Sequence, residues 1–206
     1  MPGAPAGYDG RFDAIGWYLI RWVMRLKRSL PHQPPRLVDL GMGRGRDLIY
    51  FARRGFEVEG FDTDGRALAQ ARRRAASLHV LLPVGGADLR SVRFGRRVDV
   101  VFSASALHHL PPFVRPARFA YFRDRTTVGG VHAIAVFRAT RGSPPPDADP
   151  GAGAFRRGEL EGYYRGWELL ESSSRTFACE FGGAPHAHAV DLIVARRPAG
   201  GARRKP

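Results

Sequence analysis

Apolar and polar positions alternate along this chain in two rhythms. A helical period runs from about Phe12 to Leu30 and gives an amphipathic helix. Pro31-His-Gln-Pro-Pro35 then stops it, because proline carries no backbone donor for a helix interior. From there short apolar runs and helical stretches follow one another. Arg36–Leu40 reads as a strand, Asp47–Arg54 as a helix ended by Gly55, and Val58–Phe61 as the next strand. A helix from an Asp64 cap to about Ser77 follows, then a short edge strand at His79–Pro83. Val98–Ser103 is apolar throughout, as in a strand buried on both faces. An aromatic-rich helix spans about Phe113 to Arg125, and Gly129-Gly130 turns into strand Val131–Phe137. This βαβ rhythm predicts a parallel sheet with helices on both faces. Thr140–Gly153 is a Pro/Gly/Asp loop without periodicity, either a lid or disordered. A short helix, Arg157–Tyr164, precedes two β-rich stretches, Trp167–Phe181 and His186–Arg197, joined by Gly182-Gly-Ala-Pro185 as an antiparallel hairpin.

The joint between the first strand and its helix carries the chemistry. Leu37-Val-Asp-Leu-Gly-Met-Gly-Arg-Gly-Arg-Asp47 places Asp39 at the end of a buried strand, then Gly41, Gly43 and Gly45, then a helix N-terminus. Glycines there let the backbone turn tightly and approach a ligand, and the helix offers free N–H groups. Asp62 closes the second strand 21 residues after Gly41, where an acid can accept from a ribose diol. A dinucleotide site wants G-x-G-x-x-G, yet the third glycine comes one residue early and Arg46 follows it. Asp39 would also repel a diphosphate and welcome a cationic amino-acid group.

The run resembles motif I, (D/E)-x-G-x-G-x-G, of the class I S-adenosylmethionine-dependent methyltransferases. The resemblance implies S-adenosyl-L-methionine as cofactor and an α/β, Rossmann-like, doubly wound, seven-stranded and mostly parallel sheet ending in an antiparallel hairpin. It implies that Asp39, Gly41, Gly43 and Gly45 cradle the cofactor, with Asp62 and Thr63 at the ribose. Asp88 and Leu89, in Gly86-Ala-Asp-Leu-Arg90, would meet the adenine, and Ser103, of Ser103-Ala-Ser105, would lie under the methionine part. The strand is followed by Phe102-Ser-Ala-Ser-Ala-Leu-His-His-Leu110 instead of (N/D/S)-P-P-(Y/F), and Cys179 lies in the late hairpin. Methylation of nucleobases is therefore not expected.

The C-terminal third narrows the resemblance. Phe155-Arg-Arg-Gly-Glu-Leu-Glu-Gly-Tyr-Tyr-Arg-Gly-Trp-Glu168 and Pro185-His-Ala-His-Ala-Val-Asp-Leu-Ile-Val-Ala-Arg-Arg-Pro198 are similar to the tellurite-resistance type of methyltransferase. That type implies a small-molecule acceptor, a thiol or a chalcogen of the tellurite or selenite kind. The alternative is O- or N-methylation of a small natural product, and behind it a non-catalytic basic module. Ala187 stands between the terminal histidines where relatives often have arginine. His186 and His188 alternate along one strand and share a face. They are candidates to orient or deprotonate the acceptor, with structural hydrogen bonding as the other reading. A metal is not expected, since no third ligand accompanies them. His108, next to His109, is the third catalytic candidate, a packing or helix-start role being its alternative. Tyr163, Tyr164 and Trp167 fit packing of the short helix better than a pocket wall.

Composition modifies this picture little. The net charge of +14 suggests polyanion binding. However, 31 of the 33 basic residues are arginines dispersed among Ala, Gly and Pro, and the segment Arg196 to Pro206 holds five of the positive charges. No specific nucleic acid is expected as partner. No apolar run reaches 18 residues, and Ile15–Met24 is short and carries Arg21, so no membrane association is expected. One cysteine, Cys179, suits a reducing cytoplasm. The expected organisation is one methyltransferase domain over 1–198, with 1–35 a helix and linker covering the site, and a disordered basic tail at 199–206.

Overall fold

A computed structural model describes residues 14–139, 153–179 and 186–199, with only the backbone at 178, 179 and 186. The elements run α1 (Ala14–Leu26), β1 (Arg36–Leu40), α2 (Arg46–Arg53), β2 (Glu57–Asp62), α3 (Gly65–Ser77), β3 (Val84–Gly86) and β4 (Val98–Ala104). They continue with α4 (Arg115–Asp124), β5 (Thr126–Phe137), α5 (Glu159–Gly162), β6 (Glu168–Cys179) and β7 (His186–Arg196). Seven strands form one sheet in the order β3-β2-β1-β4-β5-β7-β6. The first five are parallel, and β7 lies antiparallel between β5 and β6. The order reverses between β1 and β4, which opens a crevice at the carboxyl ends of these strands.

Strands that read as continuous apolar runs divide their side chains between two cores. Leu37, Val100, Phe102, Val131 and Ala133, together with Val190, Leu192 and Val194 of β7, share one core with α1, α2 and α3. Val38, Val101, Ile134, Val136 and Ile193 face Phe119 and Phe122 of α4 and Leu160 of α5. Burial on both faces is what a sheet covered by helices on each side requires. α1 contributes Ile15, Leu19, Ile20 and Val23 to the first core. Its outer residues tie it to both neighbours. Trp17 meets Tyr50 of α2 edge-on at 5.9 Å. Tyr18 donates to Glu171 of β6 at 2.8 Å and accepts from Arg175 at 3.0 Å.

Several boundaries differ from the pattern along the chain. The edge strand forms at Val84–Gly86, not His79–Pro83. His79 has φ +52° just after α3, and Pro83 has no N–H to give a ladder, although its carbonyl accepts from Gly60. β5 begins at Thr126, so Gly129-Gly130 lies inside the strand, beside a register shift opposite Val98 and Val100. α4 starts at Arg115 and leaves Phe113 exposed. The short helix contracts to Glu159–Gly162. The loop from Thr140 to residue 152, the linker 180–185 and the tail from 200 onward lie outside the described residues. Among the described residues no helix is long and apolar enough to cross a membrane.

Candidate active site

The glycine loop folds over the end of β2. Gly41 and Met42 both donate to the Phe61 carbonyl, at 2.9 and 3.1 Å, and Gly43 donates to Asp62 Oδ2 at 2.7 Å. Asp62 Oδ1 accepts from the Asp64 amide at 2.9 Å. Gly41 and Gly43 have φ of +76° and +52°, a region open to glycine at no steric cost. A Cβ on Gly41 would lie 2.1 Å from Ala106 Cβ, so β1 and the segment after β4 close tightly there. A Cβ on Gly43 would meet nothing within 4 Å, which leaves the inner rim of the loop bare. Gly45, at φ +70°, leads into α2, whose first-turn amides have no acceptor within the helix.

Asp39, Asp47 and Asp62 gather behind the loop, with Arg46 paired to Asp47 at 3.0 Å. Asp39 is 2% exposed, and its pKa is held well above the ordinary aspartate value by burial first, then by Asp47 and Asp62. A cationic ligand group answers such a cluster, whereas a diphosphate would add to the repulsion. Thr63 is exposed in the bend after β2. Asp88 is bonded by the Arg90 amide and Nε, both at 2.7 Å, and that ion pair lowers its pKa. Leu89 is half-buried beside it. Ser103 is fully buried and donates to the Leu40 carbonyl at 2.8 Å, so its hydroxyl braces β4 against β1. Ser105, two residues on, has φ +61°, and its shielded Oγ has no hydrogen-bond partner among the described residues. The bare rim at Gly43, the acids behind it and the loop's fit to β2 suit an adenosyl cofactor with a cationic amino-acid end.

Two of the three candidate histidines meet across one aromatic ring. His108, in a 3-10 turn after β4, stacks on Phe137 with centroids 4.2 Å apart and planes 19° apart. His188 stacks on Phe137 as well, at 4.2 Å and 8°. Both histidines are 5% exposed, while Phe137, at the carboxyl end of β5, is half-buried. His109 lies 4.3 Å from His108 and is exposed. The His186 backbone pairs with Cys179, and its side chain is outside the described residues. The stack and the glycine loop are neighbours, because Ala106, packed under Gly41, is two residues from His108. A separate groove of about 770 Å³, lined by Phe56, Glu59, Leu81 and Arg96 among others, lies along the β2 edge and includes none of these residues. Among the described residues no group of three or more His, Cys, Asp or Glu gathers as a metal site.

The family profile of tellurite resistance protein TehB matches residues 29–176. The chain belongs to the TehB family. A TehB of Haemophilus influenzae, named as a probable S-adenosyl-L-methionine-dependent methyltransferase, is 25% identical over 138 residues, 67% of this chain and 48% of that protein. The chain thus spans about half the length of the curated relatives it matches. The crystal structure of Haemophilus influenzae TehB superposes with a TM-score of 0.77 at 19% identity, over 93% of this chain and 64% of that one. Magnesium protoporphyrin IX methyltransferase of Synechocystis, solved with bound SAH, gives 0.68 at 15% identity over 92% and 90%. These superpositions establish the shared fold.

The TehB-type stretch after residue 153 works here around a buried cation. Arg115, fully buried at the start of α4, donates to Glu159 at 2.8 Å and lies 3.9 Å over the Phe155 ring. Tyr163 stacks on Phe119 at 4.4 Å. Tyr164 and Trp167 pack on His132, so all three aromatics are packing residues. Neither Phe137 nor Arg115 stands out in the sequence. Phe137 gives no local signal, since its role is a stack between distant segments. Arg115 could have been sought as the cation that a buried F-x-x-G-E-L segment needs.

Proposed function

We propose that this protein transfers the methyl group of S-adenosyl-L-methionine to a small acceptor with a soft, electron-rich atom, a thiolate or a chalcogen anion. The observation that supports the reading is the adjacency of the glycine loop and the histidine stack, with Ala106 packed against Gly41 and His108 two residues on. In the cradle S-adenosyl-L-methionine would supply a methyl on positively charged sulfur, open to in-line displacement by a soft nucleophile. Asp39, with Asp47 and Asp62 behind it, favours a positive charge at the loop. Asp62 offers its carboxylate beside the Gly43 amide for the ribose hydroxyls. His108 and His188, held flat on Phe137 and nearly closed to solvent, fix the acceptor's direction of approach. Alignment and exclusion of water are the main requirements of such a displacement.

The test combines calorimetry with an acceptor panel. S-adenosylhomocysteine should bind in the micromolar range, about −8 kcal/mol, without competition from NAD. Thiols, chalcogen oxyanions and small phenols are then assayed with the parent and with His188→Gln. Turnover on the preferred acceptor should fall about 10²-fold in the variant, with cofactor affinity kept. Preference for a phenol would overturn the soft-anion reading, and full activity of the variant would remove His188 from the mechanism.

A further inference from the structure

The geometry points to Arg115 as a positioning residue that sets the His108–Phe137–His188 stack, a step that rests on the stack being the acceptor wall. Its guanidinium reaches three carbonyls and one carboxylate. Nε donates to Leu110 O at 2.9 Å, Nη2 to His108 O at 3.4 Å and also to Gly153 O, and Nη1 to Glu159 Oε1 at 2.8 Å. Glu159 is held in turn, accepting from the Arg156 amide at 2.9 Å and the Tyr163 hydroxyl at 3.1 Å.

The same cation also reaches the centre of the stack through Phe155. The Phe155 ring lies under the guanidinium. The Phe155 amide donates to the Phe137 carbonyl at 2.9 Å, and the Phe155 carbonyl accepts from Ala139 at 2.9 Å. Arg115 therefore grips the turn that carries His108 on one side and, through the Phe155 backbone, the strand end that carries Phe137 on the other. These segments are far apart in sequence, and their rings must meet face to face at 4.2 Å. Only a planar fork with five donors holds such a set of acceptors at fixed angles; a lysine ammonium is a point charge on a flexible stem. An ion pair with a fully buried cation is weak evidence for stability, and fixing register is its best-attested use.

The experiment is NMR of the histidine ring protons, together with kinetics and calorimetry, on the full chain. Protons above an aromatic face are shifted upfield, so those of His108 and His188, assigned with single-histidine variants, should lie upfield of those of the exposed His79. In Arg115→Lys both sets should move toward the His79 position. Turnover should then drop on the order of 10- to 100-fold while S-adenosylhomocysteine binds as to the parent. Phe155→Leu and Glu159→Gln, which remove one support each, should shift the resonances the same way by less, and they decide the matter if Arg115→Lys does not fold. Unmoved resonances in folded variants would overturn the proposal. So would moved resonances with unchanged kcat, because the rings would then not direct the acceptor. If the parent itself binds no S-adenosylhomocysteine, the cofactor reading fails on its own, and the resonances still report whether Arg115 sets the stack.

Discussion

Around Gly41 and Gly43 the site is made of main chain, with amides bonded to the Phe61 carbonyl and the Asp62 carboxylate and glycines in the left-handed region. Around Phe137 it is made of side chains, with two imidazoles on one ring and a buried arginine behind them. The first arrangement is local: a loop and two strand ends adjacent in the sheet. The second joins β4's exit, β5's end, β7's start and the segment after residue 153. A glycine cradle can thus be kept by a handful of residues in order, while the proposed acceptor wall depends on distant supports.

The two halves should respond differently to mutation. Arg115→Met takes the cation from half-buried Glu159 and one donor from each of three carbonyls. It should cost about 3–5 kcal/mol, seen as a lower Tm, while the folded fraction still binds S-adenosylhomocysteine within a small factor of the parent. Equal loss of cofactor affinity would show that the halves are one unit. Gly41→Ala brings a Cβ against Ala106 at φ +76°. About 2–5 kcal/mol of strain and overpacking should follow, and here calorimetry should show cofactor binding lost along with stability.

Asp62→Ala is milder. The Gly43 and Asp64 amides both lose their acceptor in the free protein, so stability, seen as a lower Tm, and cofactor affinity should both fall, each by about 1.5–3 kcal/mol. A variant that loses affinity but melts like the parent would assign Asp62 to the ligand alone. The smallest effect concerns His132, on the far side of β5 from the stack. Its Nε2 meets Thr126 Oγ1 and its Nδ1 the Tyr164 hydroxyl, both at 2.7 Å. Since the threonine hydroxyl donates to the Phe122 carbonyl, Nε2 carries the ring proton and Nδ1 accepts. Burial, with Arg123 and Arg197 nearby, lowers its pKa from 6.5 to about 3. The unfolded chain then takes up a proton that the native state refuses, so this contribution is complete above pH ~6.5 and is lost as pH falls toward 3. Unfolding titrations between pH 4.5 and 6.5 should show a slope of up to about 1.4 kcal/mol per unit, flattened in His132→Gln.

The uneven legibility of the site has the same origin. The places of Asp39, the three glycines and Asp62 can be read because each is set by its distance from a strand end, which spacing along the chain preserves. The parallel sheet and late hairpin are legible from alternating apolar runs for the same reason. Position along the chain puts Ser103 beneath a ligand, yet its hydroxyl braces Leu40, a distinction that depends on the direction of one side chain. Ser105's positive φ, the Phe137 stack and Arg115's four acceptors arise where segments far apart in sequence converge. No local pattern encodes such a convergence. The edge strand is displaced to Val84–Gly86, where it pairs with Gly60–Asp62 of β2.

The connection leaving β5 has its two feet fastened together before it departs, through the Arg138 and Phe155 bridge, the Ala139 amide on the Phe155 carbonyl and Arg115 on Gly153. A segment with clamped ends can change length cheaply, since doubling a loop adds only about 0.6 kcal/mol of closure entropy. The feet are set by their own pairing and not by the chain between them, so that chain can vary in length while Phe137 and Phe155 stay bonded.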